Sequence, residues 1–211
     1  MIDNIYTASV QEMPLSDLVE IRSAKRPVRV EERPFDSSVP YVNIRTLETG
    51  ASGQYADKTG LLVDENDLVI VKDGYRSGKV FYAKEGIAAS TLTVLRPKSG
   101  EVVSGYLYCY LSYRYDDFQK RLRGAAIGHL DMDYVRRMVI PVPDMATQKG
   151  VAARYQCIET LTSELKQKVL RLKKLSVEMS QKDLKKMCDE LNLQAELTLK
   201  SWLNEVFKKP V

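Results

Sequence analysis

Nine positions between Val151 and Met179 follow one another in alternating steps of four and three: Val151, Tyr155, Ile158, Thr162, Leu165, Val169, Leu172, Ser176 and Met179. Seven of the nine are apolar. Such steps line one face of a helix. A seam this long needs about eight helical turns and another helix to cover it. The chain is thereby divided, because everything before Asp144 has to build a core of its own. We read residues 1–144 as a head and 145–211 as a helical dimerisation and spacer region. Val151, Tyr155, Ile158, Leu165, Val169, Leu172 and Met179 are assigned to dimerisation, with polar Thr162 and Ser176 setting register. The pattern does not choose between parallel and antiparallel pairing. A second helical run carries Leu184, Cys188, Leu191, Ala195, Leu199, Trp202, Val206 and Phe207. Ser180 and Asp183 are spaced as a capping box, and the break between the runs falls near Ser180 or near Asn192.

The head mixes short strand-like and helix-like segments, which predicts an α+β fold: a mixed head with a twisted β-sheet, then long C-terminal helices. Leu15, Leu18 and Val19 share a face if Leu15–Arg22 is a helix. Lys25–Arg29 is basic and extended, since Pro27 and Pro34 oppose helix there. Val39–Arg45 reads as a strand and Glu48–Lys58 as a polar loop. Asp67–Val71 and Lys79–Tyr82 read as a hairpin whose loop holds the turn pairs Asp73-Gly74 and Ser77-Gly78. Thr91–Arg96 is a further strand, stopped by Pro97. Ser104 is placed to cap a helix carrying Leu107, Leu111, Phe118 and Leu122 and ending at Gly124. The segment Leu122–Asp144 then closes the head. It holds a glycine-flanked loop, a short helix capped by Asp131, a strand over Met138–Val142 and a Pro-x-Pro exit into the helices.

Charge is unevenly placed along the chain. Residues 1–144 hold 19 lysines and arginines against 20 acids, whereas residues 145–211 hold 13 against 8. The head is not a generic basic DNA-binding domain, and any nucleic acid has to be met by local basic patches. No run of 18 apolar residues exists to span a membrane. The opening Met1-Ile-Asp-Asn-Ile-Tyr-Thr7 lacks a signal-peptide pattern, so a cytoplasmic location is expected. Cys109, Cys157 and Cys188 form no Cys-x-x-Cys pair, and His129 is the only histidine. A zinc site has no ligand set here, and the cysteines are expected to be buried reduced thiols.

The search for chemistry finds no glycine-rich phosphate loop of the Gly-x-Gly-x-x-Gly or Gly-Lys-Ser/Thr kind. A Ser/His/Asp triad would have to use His129, which follows Gly128 in a loop. Adjacent acids such as Asp116-Asp117 and Glu31-Glu32 point in different directions. We therefore expect no catalytic residue, and binding is what remains. Lys72, Tyr75, Arg76 and Lys79 sit on or beside one hairpin loop, which can hold cations against phosphates or base edges. The same residues serve equally well as a solvated hairpin tip. Arg121 and Arg123 end a helix, where they also complement its dipole. Gln54 and Tyr55 are a polar–aromatic pair on the longest loop. With His129, these nine residues are the candidate DNA contacts.

The order of elements resembles the specificity (S) subunits of type I restriction–modification enzymes. That family's recognition domain opens with a Leu-Gly-Asp-Val-like segment, here Leu15-Ser-Asp-Leu-Val19 with Ser16 in the glycine's place. An Ile-Pro-Tyr-Val-like strand follows as Val39-Pro-Tyr-Val42, then Asn66-Asp-Leu-Val-Ile-Val71, Val94-Leu-Arg-Pro97, and the tyrosine-rich Tyr106-Leu-Tyr-Cys-Tyr-Leu111. Ile140-Pro-Val-Pro143 and Gln148 precede the long helix, with Thr147-Gln148-Lys149 replacing the family's usual Glu-Gln pair. The likeness covers about residues 12–180, and the segment beyond does not align.

The resemblance implies a half-type subunit with a single target-recognition domain, serving phage defence without catalysis of its own. It implies that the head binds one half of a bipartite double-stranded DNA target. The helices would dock methylase subunits and, through them, a restriction subunit. S-adenosylmethionine, ATP and magnesium would belong to those partners, with no cofactor on this chain. A homodimer or pairing with another S protein would complete the site. The alternative, favoured by the near-neutral head, is a helical scaffold or anti-restriction decoy that binds protein rather than DNA.

Overall fold

The computed structural model describes residues 4–7, 9–98, 100–124, 128–175 and 181–209. A 3-10 turn at Ile5–Thr7 leads into β1 (Gln11–Pro14), α1 (Leu15–Leu18), β2 (Val19–Ser23), β3 (Val30–Glu31), β4 (Val39–Val42), α2 (Ile44–Thr49), β5 (Tyr55–Ala56), β6 (Leu62–Val63) and β7 (Leu68–Val71). Then come β8 (Val80–Tyr82), β9 (Gly86–Ala88), β10 (Leu92–Pro97), α3 (Ser104–Tyr113), α4 (Tyr115–Gln119), α5 (Met132–Arg137), β11 (Val139–Val142), α6 (Met145–Leu175) and α7 (Gln181–Phe207). The α+β architecture is as expected, but the strands form three sheets rather than one. β1 pairs with β11, a four-stranded sheet runs β2-β10-β7-β8, and a five-stranded sheet runs β3-β5-β4-β9-β6.

β7 explains the layering. All four of its residues are buried, because successive side chains point to opposite faces and both faces are covered. Leu68 and Ile70 enter a core with α3, α6 and α7. Val69 and Val71 enter a second core against Val42, Val63 and Ala88 of the five-stranded sheet. A continuous apolar run is what a strand buried on both sides requires.

Several expectations are corrected. Leu15–Arg22 is helical only through Leu18. Val19 opens β2, whose Ile21 pairs with Leu95 of β10. Within the segment expected as a strand and then a polar loop, Ile44–Thr49 is a helix. The Asn43 side chain accepts from the Thr46 N–H, and Gly50 ends the helix at φ 75°. Ser104 is the first residue of α3, not its cap. The N-terminus of that helix is satisfied from afar, since Val103 N–H donates to Gln148 Oε1 at 2.9 Å. The expected single helix from 104 to 124 breaks at Arg114, and α4 ends at Gln119, well before Gly124. Asp131 does cap α5, accepting from the N–H groups of Asp133 and Tyr134. Cys109 and Cys188 are buried, but Cys157 is exposed.

The helices do not stand apart from the head. α7 returns antiparallel along α6, placing the Trp202 ring 6.1 Å from that of Tyr155. It ends with Leu203, Val206 and Phe207 inside the main core. Phe207 meets the rings of Tyr106, Tyr110 and Tyr113 of α3 at 5.3–5.8 Å. α3 and α6 approach so closely at Gly105 that a Cβ there would fall 2.7 Å from Ala152 Cβ. Val151 and Tyr155, expected on a dimer seam, are 0% and 5% exposed within the single chain. Ile158 is half-buried and Leu165 is 52% exposed. The Val169 and Leu172 side chains, together with Ser176, Met179 and Ser180, lie outside the described residues. The break between helices falls before Gln181 rather than near Asn192.

Candidate nucleic-acid interface

The Lys72–Lys79 loop is held from within by backbone bonds. Gly78 N–H reaches Val71 O at 2.8 Å, Ser77 N–H reaches Gly74 O, and Lys79 N–H reaches Arg76 O, both at 3.0 Å. Gly78 adopts φ 88°, and a Cβ there would lie 2.8 Å from Phe118 Cβ. Only glycine lets the loop turn and lie against α4 at this point. Gln119 of the same helix donates Nε2–H to Ser77 O at 2.6 Å.

A second segment is stitched onto this loop. Leu130 N–H donates to Lys72 O at 2.8 Å, and Gly74 N–H donates to Gly128 O at 2.9 Å. The buried Ser77 hydroxyl donates to the same Gly128 carbonyl at 2.8 Å. Arg123 and His129 exchange both backbone hydrogen bonds, at 2.9 and 2.7 Å. His129 Nδ1 lies 2.8 Å from Asp73 Oδ1, within hydrogen-bond distance of the carboxylate. Two segments some fifty residues apart in sequence thus form one surface at an end of the four-stranded sheet.

Four cations of this surface, Lys72, Arg76, Lys79 and Arg123, are each matched by an acid. Arg76 Nε lies 3.0 Å from Glu48 Oε1 without the alignment of a hydrogen bond, so charge holds that pair. Lys79 Nζ reaches the same oxygen at 3.3 Å. Lys72 Nζ is 3.8 Å from Asp73, and Arg123 pairs with Asp131 at 2.5 Å. The Asp131 carboxyl is held below the usual range by the Tyr134 N–H it accepts, with Arg123 adding to this. Arg121 lies 4.2 Å above the Tyr134 ring. Tyr75 is 79% exposed, with the Arg76 guanidinium 4.8 Å from its ring.

Seven of the nine candidate residues, Lys72, Tyr75, Arg76, Lys79, Arg121, Arg123 and His129, therefore belong to two segments docked on one another and on α4 and α5. Gln54 and Tyr55 do not join them. Gln54 O accepts from Tyr41 N–H, its Oε1 accepts from Asn43 Nδ2, and Tyr55 pairs in the five-stranded sheet. The sequence does not reveal that Glu48, Asp73 and Asp131 hold these cations: it marks Asp73 only as a turn residue and Asp131 only as a helix cap. Glu48 sits on the unexpected helix α2, and nothing in its sequence neighbourhood marks it. Residues 125–127 of the loop between Gly124 and His129 lie outside the described residues.

At the junction of head and helices, Tyr108 donates its hydroxyl to Glu159 Oε1 at 3.1 Å. The Tyr82 and Tyr155 rings lie 4.7 and 5.4 Å from that of Tyr108. Burial pushes the Tyr82 hydroxyl up to about 12 and raises Tyr108, Tyr155 and Cys109 further. Burial also raises the Glu159 carboxyl, opposed by hydrogen bonds from Tyr108 and Tyr155. These groups form a packed joint. Among the described residues no group of three or more His, Cys, Asp or Glu is placed to hold a metal. No described helix is long and apolar enough to cross a membrane.

A family model described as the type I restriction modification DNA specificity domain matches residues 8–173. The chain belongs to that family. The specificity domain is 24% identical over 170 residues to the type I restriction enzyme MjaVIII specificity subunit of Methanocaldococcus jannaschii, a match covering 80% of this chain and 40% of that protein. Among solved structures, the S subunit of a type I restriction–modification system from M. genitalium aligns with a TM-score of 0.58 at 13% identity, over 79% of this chain and 43% of that one. The HsdS subunit from Thermoanaerobacter tengcongensis aligns at 0.58 and 14%, over 96% and 45%. A chain from a study of type I restriction–modification complex assembly and conformational transition aligns at 0.63 and 14%, over 92% and 45%. Identities this low speak to the fold alone. The specificity domain spans less than half the length of the relatives it matches.

Proposed function

We propose that this specificity domain reads one half of a split double-stranded DNA target and docks methylase subunits through its helices, without catalysing a reaction. The observation that carries this reading is the interlocking of the Lys72–Lys79 loop with the Arg121–Asp131 segment. It presents several cations and an exposed tyrosine on a rigid sheet end, in a chain of this family. Cations so held can meet phosphates while Tyr75 and Arg76 approach base edges. In this reading S-adenosylmethionine, ATP and magnesium serve the methylase and restriction subunits, and the assembly works in the cytoplasm in phage defence. Pairing with a second copy or another specificity protein completes the bipartite site, and a symmetric pair reads a palindrome. With Val151 and Tyr155 used inside the chain, the surface left for pairing includes the exposed Leu161, Leu165, Leu193 and Leu197.

The test is selection of bound duplexes from a randomised split-site pool at stated salt, with and without a methylase subunit. Enrichment of one half-site is expected, and Arg76→Ala with Lys79→Ala should relax it. A pool that stays random in both conditions overturns the reading. One observation favours a protein-binding decoy or scaffold instead. Glu48, Asp73 and Asp131 already pair with four of the cations there, as a surface made for a mixed-charge protein partner would have it. The same selection separates the two.

A further inference from the structure

We infer that Lys25 and Arg26 form a phosphate-holding strap beside the candidate reading loop, on the same DNA duplex. The inference rests on the DNA-reading proposal and adds to it a site on a different part of the chain.

Strand register places the strap. In the four-stranded sheet, Ser23 lies opposite Thr93, and Thr93 lies opposite Ile70. One step on, Ala24 N–H donates to Leu92 O, and Leu92 lies opposite Val71. The following step sets Lys25 level with Thr91, whose carbonyl accepts from Lys72 N–H at 2.9 Å. β2 and β7 therefore end together, and Lys25 follows one as Lys72 follows the other. Two strand spacings put their backbones about 10 Å apart. The major groove of B-DNA is about 12 Å wide. A loop entering that groove beyond Lys72 would bring Lys25 and Arg26 to the phosphates on its rim.

The strap is rigid and its charges are unspent. Ala24 and Pro27 are buried on either side of exposed Lys25 and Arg26. Val28 N–H is held by Thr59 Oγ1 at 3.0 Å, and Arg29 N–H by Asp57 Oδ2 at 2.7 Å. Val28 itself is 88% exposed, an apolar side chain on a fixed backbone beside two cations. Arg29 is engaged by Glu31 at 2.5 Å. Lys25 and Arg26, unlike Lys72, Arg76, Lys79 and Arg123, have no acidic partner among the described residues. A cation carried on a held backbone without an anion suits phosphate, and phosphate contacts position a protein without reading sequence.

The experiment compares the full chain with its Lys25→Gln/Arg26→Gln variant on a fixed-sequence, fluorescein-labelled duplex across a salt series. Each phosphate contact contributes about 0.9 to the slope of log affinity against log salt. Loss of two should flatten the slope by about 1.8, so that between 50 and 200 mM salt the parent weakens about twelvefold more than the variant. The half-site enriched from the randomised pool should stay the same. The pair Lys182→Gln/Lys185→Gln removes equal charge from α7 and should leave the slope unchanged. A parent that binds no duplex removes the DNA reading and the strap together. A parent that binds, with an unchanged slope in the Lys25/Arg26 variant or an equal fall in the α7 control, removes the strap alone.

Discussion

Arg96 grips Asp67 through two parallel hydrogen bonds, Nε to Oδ1 and Nη2 to Oδ2, both 2.7 Å long. Asp67 precedes β7, and Arg96 lies near the end of β10. The fork ties together the two strands that carry the family-like Asn-Asp-Leu-Val and Leu-Arg-Pro segments. The Asp67 carboxylate is 1% exposed, so it depends on that guanidinium. Arg96→Ala strands the buried charge and should cost about 3 kcal/mol, read as a lower urea midpoint. An unchanged midpoint would show the pair to be dispensable.

Gln148 is a second internal clamp. Its Oε1 accepts from Val103 N–H and its Nε2 donates to Pro143 O at 2.9 Å, joining the start of α3 to the exit from β11. Gln148→Leu leaves a donor and an acceptor unpaired in a buried place. The expected loss is about 3 kcal/mol, measurable by urea unfolding, with Gln148→Glu restoring only the acceptor.

Glu48 restrains two cations of the candidate interface. Glu48→Gln frees Arg76 and Lys79 for phosphate and should tighten binding to a non-specific duplex up to about fivefold at low salt. The gain should vanish as salt rises. Weaker binding in this variant would mean that Glu48 positions the cations rather than masking them.

Glu159 makes stability depend on pH. Burial raises its folded-state pKa above the unfolded value, so the folded chain binds more protons between the two. Its contribution is fully present below the unfolded value, about 4.3, and is lost as pH rises through the folded one. Glu159→Gln keeps an acceptor for Tyr108 and should flatten this decline. Unfolding midpoints taken at about pH 4 and pH 7 should converge relative to the parent. An identical pH dependence in the variant would rule Glu159 out as the source.

How far the sequence disclosed this molecule differs by residue. The hairpin of β7 and β8 was legible because an apolar run, turn glycines and a second β-rich run lie close together. The Asp131 cap was legible because capping is local. The helix α2 was hidden by a polar, glycine-flanked composition that also suits a loop, although Asn43 and Gly50 are its cap and stop. Val151 and Tyr155 gave a true helical seam but not its partner. The periodicity of one helix does not say whether α3, α7 or another chain covers it. The candidate interface was legible as cations but not as pairs, since Glu48, Asp73 and Asp131 meet Arg76, Lys79, His129 and Arg123 only through tertiary packing.

The seating of Phe207 among Tyr106, Tyr110 and Tyr113 bears on how the protein is made. The head's main core draws on residues 203–207, so a nascent chain that has emerged only as far as residue 144 still lacks part of its own interior. The head's core is complete only once the ribosome has delivered the whole helical hairpin, and until then the Tyr106, Tyr110 and Tyr113 rings lack the Phe207 ring that packs on them. Expressing residues 1–144 alone should accordingly give aggregated protein instead of a monomeric reader.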